Sequence, residues 1–110
     1  MIELLIVDDQ DLIRDGLRAI FEVGSDICVI GEASDGEQAV ALSARLSPHV
    51  VLMDVGLPDA NGIEVTAQIK KMLPQTAVIV VSQHDASAFV ERARAGPAGV
   101  VRVIRLIMEC

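Results

Sequence analysis

Four oxygen-bearing side chains stand where short apolar runs end: Asp8 and Asp9 after Ile2–Val7, Asp54 after residues 50–53, and Ser82 after residues 77–81. In an open parallel sheet the ligand sits beyond the carboxyl ends of the strands. If the first and third runs are neighbouring strands, their ends lie about 5 Å apart and three carboxylates share one spot. Two like charges at about 4 Å repel by about 4 kcal/mol at an effective dielectric near 20. Such a group calls for a cation or for raised pKa values. A hard divalent ion suits the all-oxygen donor set, since Mg²⁺ is held by one or two carboxylates and a phosphate while keeping several waters. It would also offset charge developing on a phosphoryl group in transfer. Taken singly, each aspartate is an ordinary strand-end turn or helix cap, and Ser82 an ordinary strand-end serine. The combination is a much rarer pattern than any member.

The elements that must position these residues follow from the spacing of apolar positions. Runs that suit buried parallel strands appear at residues 2–7, 27–30, 50–53, 77–81 and 98–103, each short and rich in Val, Ile or Leu. Helical spacing lies between them, at Leu12, Ile13, Leu17, Ile20 and Phe21, then Ala39, Val40, Leu42 and Leu46, then Ile63, Val65, Ile69 and Met72, then Phe89, Val90 and Ala93. Ser34 or Asp35 can cap the second helix, Pro48 and Pro74 close the second and third, and Asn61-Gly62 marks a turn or helix start. Strand alternating with helix predicts an α/β doubly wound sandwich, a five-stranded parallel sheet with helices on both faces. After the fifth strand only residues 104–110 are present, so a single domain over 1–103 is expected to be followed by a short apolar tail, with the last helix missing or stunted.

The bulk numbers narrow the function classes. With 9 basic and 16 acidic residues the net charge is −7, which opposes direct binding to nucleic acid or to an anionic membrane. Cys28 and Cys110 have neither the number nor the spacing of a disulfide framework or a zinc site, and both read as free thiols. No basic n-region precedes the first apolar run, and no apolar stretch approaches bilayer length, so a cytoplasmic location is expected. His49 precedes a buried strand and His84 stands alone in a loop, which makes neither a metal ligand. Met53 reads as core, and Glu91, Arg92 and Arg94 as a solvated helix face.

Several linked stretches resemble the response-regulator receiver domains, with a flavour closest to the NarL/FixJ-like group. They are Leu4-Leu5-Ile6-Val7-Asp8-Asp9-Gln10 with Arg14-Asp15-Gly16-Leu17, then Val29-Ile30-Gly31-Glu32-Ala33-Ser34-Asp35-Gly36. The match continues through Val50-Val51-Leu52-Met53-Asp54, Leu57-Pro58, Asn61-Gly62 and Val78-Ile79-Val80-Val81-Ser82. The resemblance implies a flavodoxin-like fold with strand order 2-1-3-4-5. It implies that Asp54 accepts a phosphoryl group from a histidine kinase, giving an acyl phosphate. It further implies that Asp9, Asp54 and the backbone carbonyl of Gly56 ligate Mg²⁺ directly, with Asp8 acting mostly through water. Ser82 resembles the switch hydroxyl that hydrogen-bonds the phosphoryl oxygen, and Pro58 and Gly62 resemble residues that shape the covering loop. The enzymology implied is at most self-catalysed phosphoryl transfer and autodephosphorylation.

The resemblance breaks near the end of the chain. Receivers usually carry a lysine at the end of the fifth strand and an aromatic three residues before it. Here Gly96-Pro97-Ala98-Gly99-Val100-Val101-Arg102-Val103 sets Val103 and Val100 at those positions, with Arg102 one residue out of register. Slow or poorly coupled phosphorylation is therefore expected, together with possible self-association through the fourth-helix and fifth-strand face. A degenerate receiver acting as a constitutive interaction module is the alternative function. A Mg²⁺-dependent phosphatase with an Asp nucleophile would need an acid at Gly56, and dinucleotide binding would need a glycine-rich loop where Asp8 and Asp9 stand. The DNA-binding domain that often follows NarL/FixJ-like receivers has no counterpart in the 110 residues.

Overall fold

The computed structural model describes residues 1–24, 26–82 and 101–105, the last stretch as backbone path. Strand and helix alternate as β1 (Ile2–Val7), α1 (Asp11–Glu22), β2 (Ile27–Ala33), α2 (Gly36–Leu46), β3 (Val50–Asp54), α3 (Gly62–Met72) and β4 (Ala77–Ser82), with β5 at Val101–Arg105. The strands lie in the order β2-β1-β3-β4, all pairs parallel, and β5 adjoins β4. β1 and β3 are therefore the neighbours that the acidic residues require.

Both faces of the sheet are buried, and so both parities of the central strands are apolar. Leu5 and Val7 of β1 join Val51, Met53, Val78 and Val80 in a cluster closed by Ala39 of α2 and by Val65 and Ile69 of α3. Leu4 and Ile6 join Leu52 and Val29 on the other face, where Leu17 and Phe21 of α1 pack. Of the apolar residues expected to line α1, Ile13, Leu17 and Phe21 turn inward at four-residue spacing, whereas Leu12 and Ile20 are exposed. A helix on one face of an open sheet needs only a narrow stripe, and the two residues flanking it are left in solvent.

Local chemistry sets the ends of the helices. Asp35 caps α2, accepting from the Gln38 amide at 2.7 Å, and Asn61 caps α3, accepting from the Ile63 amide at 2.8 Å. Ser47 ends α2 in the left-handed region at φ 46°, just before Pro48. β2 runs three residues beyond the expected 27–30, and a register slip between Leu4 and Leu5 passes over Ile30. Its second half is not an apolar run because β2 is an edge strand whose Glu32 faces the arginines of α1. β5 likewise departs from the expected 98–103: pairing to β4 runs on through Val81↔Ile104 and Ser82↔Arg105. Backbone hydrogen bonding, which is blind to side-chain polarity, decides where that strand stops.

The fourth helical segment around residues 89–93, the last helix, Val100, His84, Cys110 and the face on which self-association is expected lie outside the described residues. Among the described residues no helix is long and apolar enough to cross a membrane.

Candidate functional site

The carboxyl ends of β1 and β3 bring Asp8, Asp9 and Asp54 together, with one carboxylate oxygen from each lying within 4.8 Å of the others. β1 and β3 run side by side to Val7↔Met53, so the next residue of each strand meets at the sheet's edge. Asp8 is buried, Asp54 half-buried and Asp9 exposed. The cluster thus opens to solvent on the Asp9 side.

Backbone amides and one arginine fix these side chains. The Gln10 amide donates to Asp8 Oδ1 at 2.9 Å, and the Asp8 amide donates to the Ala33 carbonyl at 3.0 Å, which extends the sheet by one step. Arg14 Nη1 donates to the Asp8 carbonyl, while its other nitrogens reach Asp11 and Glu32. Across the cluster the Gly56 amide donates to Asp54 Oδ1 at 3.2 Å. Gly62 must be glycine, because a Cβ there would lie 2.2 Å from the Asp54 carbonyl oxygen. That close approach lets α3 start directly against the end of β3.

Burial first, and then the charges of Asp54 and Asp9, push the Asp8 carboxyl up to about 6 against the opposing pull of the Gln10 amide and Arg14. Asp54 is raised as well, by burial first and then by Asp9, against the amides of Gly56 and Val55. Two carboxylates out of three therefore hold their protons more tightly than ordinary aspartates. A divalent cation would reverse this, and the all-oxygen donor set fits a hard ion such as Mg²⁺.

The family model described as "Response regulator receiver domain" matches residues 4–104. The chain belongs to the response-regulator receiver family. The receiver is 46% identical over 82 residues to the transcriptional regulatory protein LiaR of Bacillus subtilis, covering 74% of this chain and 39% of that protein. It is 39% identical over 92 residues to the response regulator VraR of Staphylococcus aureus, covering 84% and 44%. The receiver spans less than half the length of these curated relatives. Among solved structures it superposes on the response-regulator domain of Thermotoga maritima CheB with a TM-score of 0.86 at 36% identity, covering 96% of this chain and 78% of that one. On the receiver domain of the putative regulator NarL from Mycobacterium tuberculosis the TM-score is 0.82 at 31% identity, with coverage of 93% and 82%.

Asp8, Asp9 and Asp54 form the cluster, and Gly56 follows β3 with its amide on Asp54. Ser82 ends β4, the strand beside β3. His49 lies away from the cluster, its Nδ1 accepting from the Glu3 amide at the start of β1. Val103 is not at the end of β5: it stands opposite Val80, and Arg105 stands opposite Ser82. The sequence reading did not single out Asp59, whose carboxylate accepts from the amides of Gly36 and Glu37, and it gave Arg14 no role. No local signal could have found the Asp59 contact, which joins residues 22 and 23 positions apart. Arg14 carried a weak one, since an arginine on the first turn of a helix can fold back onto the preceding strand end.

Proposed function

We propose that the receiver is phosphorylated on Asp54 by a histidine kinase in a Mg²⁺-dependent reaction, in the cytoplasm, and that the charge so gained changes which partner it binds. The observation that carries this reading is the meeting of three carboxylates at the ends of adjacent strands, within 4.8 Å of one another, with Asp54 half-buried and open to an incoming group. Asp9, Asp54 and the Gly56 carbonyl would hold the ion, and Asp8 would act through water. When bound, Mg²⁺ supplies charge neutralisation for the phosphoryl oxygens and for the crowded aspartates.

An Asp54 carboxylate oxygen attacks phosphorus as the bond to the kinase's histidine nitrogen breaks; the electron pair returns to that nitrogen, which takes up a proton, and an acyl phosphate remains. For this Asp54 must be ionised, although burial and Asp9 favour its protonated form. The Gly56 amide holds one of its oxygens in place, leaving the other for attack. Ser82, at the end of β4, is the hydroxyl that would then donate to the phosphoryl oxygen and couple the site to the segment that follows.

Intact-mass spectrometry after incubation with acetyl phosphate and Mg²⁺ tests the proposal. An adduct of one phosphoryl group is expected on the parent, and none on Asp54→Asn or without Mg²⁺. A folded parent that gains no adduct would turn the reading to the alternative, a degenerate receiver that binds its partner constitutively.

A further inference from the structure

The loop of residues 55–61 leaves β3 at Asp54, carries Gly56 and returns at α3. It is closed on itself at its base, where the Gly62 amide donates to the Val55 carbonyl at 3.0 Å and Gly56 bridges to Asn61. Its outer part is tied to a different element. Asp59 Oδ1 accepts from the Gly36 amide at 2.7 Å and Oδ2 from the Glu37 amide at 3.1 Å, so both oxygens are spent on the first turn of α2. Asp35 takes the third amide of that turn, Gln38, on its own.

α2 already has a local cap in Asp35, which is what helix ends ordinarily need. The second carboxylate comes from a remote loop, and its effect falls on the loop as much as on the helix. α2 is a rigid anchor: Ala39 and Ser43 are fully buried against the sheet and α3. Gly36 is packed so closely that a Cβ would lie 2.8 Å from Val65 Cγ2, 3.2 Å from Ala60 Cβ and 3.3 Å from Asp59 Oδ1. The amide of Gly36 first, and that of Glu37 with it, hold the Asp59 carboxyl below its ordinary range, so the tie is charged across the neutral pH range.

We propose that Asp59 is a positioning residue for the phosphorylation site, mooring the β3–α3 loop, and with it the backbone of Gly56, to the N-terminus of α2. The proposal rests on the reading of Gly56 as a metal-binding position. Freed of the tie, the loop would have to be ordered each time the ion binds, and affinity falls by the cost of that ordering. The tie also makes the first turn of α2 the neighbour that any movement of the loop must displace.

The experiment compares Asp59→Ala with Asp35→Ala, because each removes a cap from the same helix end and only the first releases the loop. Binding of MgCl₂ to the unphosphorylated protein is followed by calorimetry, and amide hydrogen exchange is followed over residues 55–61. Asp59→Ala is expected to weaken Mg²⁺ binding roughly tenfold, the lower end of the range for residues that orient ligands, and to speed exchange in the loop. Asp35→Ala is expected to leave both within about twofold while lowering stability by a similar amount. Asp59→Asn keeps one acceptor oxygen, should fall between them, and serves if the alanine variant does not fold. Equal Mg²⁺ affinity and equal loop exchange in Asp59→Ala and Asp35→Ala would overturn the proposal. Should the parent bind no Mg²⁺, the metal reading fails by itself, and loop exchange still decides whether Asp59 moors the loop.

Discussion

The two ends of the sheet solve opposite problems with the same kinds of atoms. At the amino end, beneath α2 and α3, a buried cation meets only acceptors: Lys70 Nζ donates to the Pro74 carbonyl at 2.8 Å and to the Thr76 carbonyl at 2.6 Å. Thr76 Oγ1 in turn donates to the Pro48 carbonyl at 2.8 Å, and His49 exchanges hydrogen bonds with Glu3. At the carboxyl end, buried and half-buried anions meet one another. The first arrangement is satisfied as it stands, whereas the second is left charged against itself until an ion arrives. Among the described residues the crowded like charges thus lie at the end proposed for the chemistry, as expected of strain held at functional sites.

The largest effect expected from breaking this contrast lies at the satisfied end. Lys70→Met keeps the apolar stem and removes both charge-assisted bonds, leaving two carbonyls short of a donor. Urea denaturation should show a loss of roughly 3 kcal/mol, with Mg²⁺ affinity unchanged. A matching loss of Mg²⁺ affinity would show that the two ends are not independent.

At the other end the sign should reverse. The Asp8 carboxyl is raised to about 6 from an ordinary value of 3.8, so between these values the folded state binds more protons than the unfolded state. Stability of the metal-free protein should accordingly fall as pH rises from about 4 through 6, by up to about 3 kcal/mol. Asp8→Asn should flatten that slope and stabilise the metal-free protein by about 2 kcal/mol at pH 7.5, read from denaturation midpoints. Adding Mg²⁺ should stabilise the parent more than the variant. In the parent, Mg²⁺ affinity should drop as pH is lowered through 6, where the proton competes for Asp8. A destabilised Asp8→Asn protein would mean that the Gln10 and Arg14 contacts outweigh the crowding.

How much of this could be read from residues alone differs between the same two ends. The acidic cluster was legible because the Asp8-Asp9 pair and Asp54 each follow an apolar run, so strand adjacency alone assembles it. The central strands and the three described helices were legible for a related reason, since periodicity reports burial. β2 was cut short because the residues of an edge strand that meet α1 need not be apolar, and Glu32 pairs with Arg18 at 2.8 Å. The Lys70 and Asp59 contacts were invisible because they join side chains to backbone groups across loops, and no spacing rule encodes a backbone acceptor.

The end of β5 gives the smallest and sharpest comparison. Its register with β4 sets Arg102 opposite Ile79 in mid-strand and Arg105 opposite Ser82 at the carboxyl edge. The two arginines carry equal charge and differ in their distance from that edge by three residues, about 10 Å along a strand. If position matters, Arg105→Ala should slow adduct formation from acetyl phosphate several-fold and Arg102→Ala hardly at all. Equal slowing in both would assign the effect to net charge, which a screened long-range field supplies from either place. No slowing in either would mean that the aspartates and the ion suffice for transfer, with β5 contributing only its backbone to the sheet.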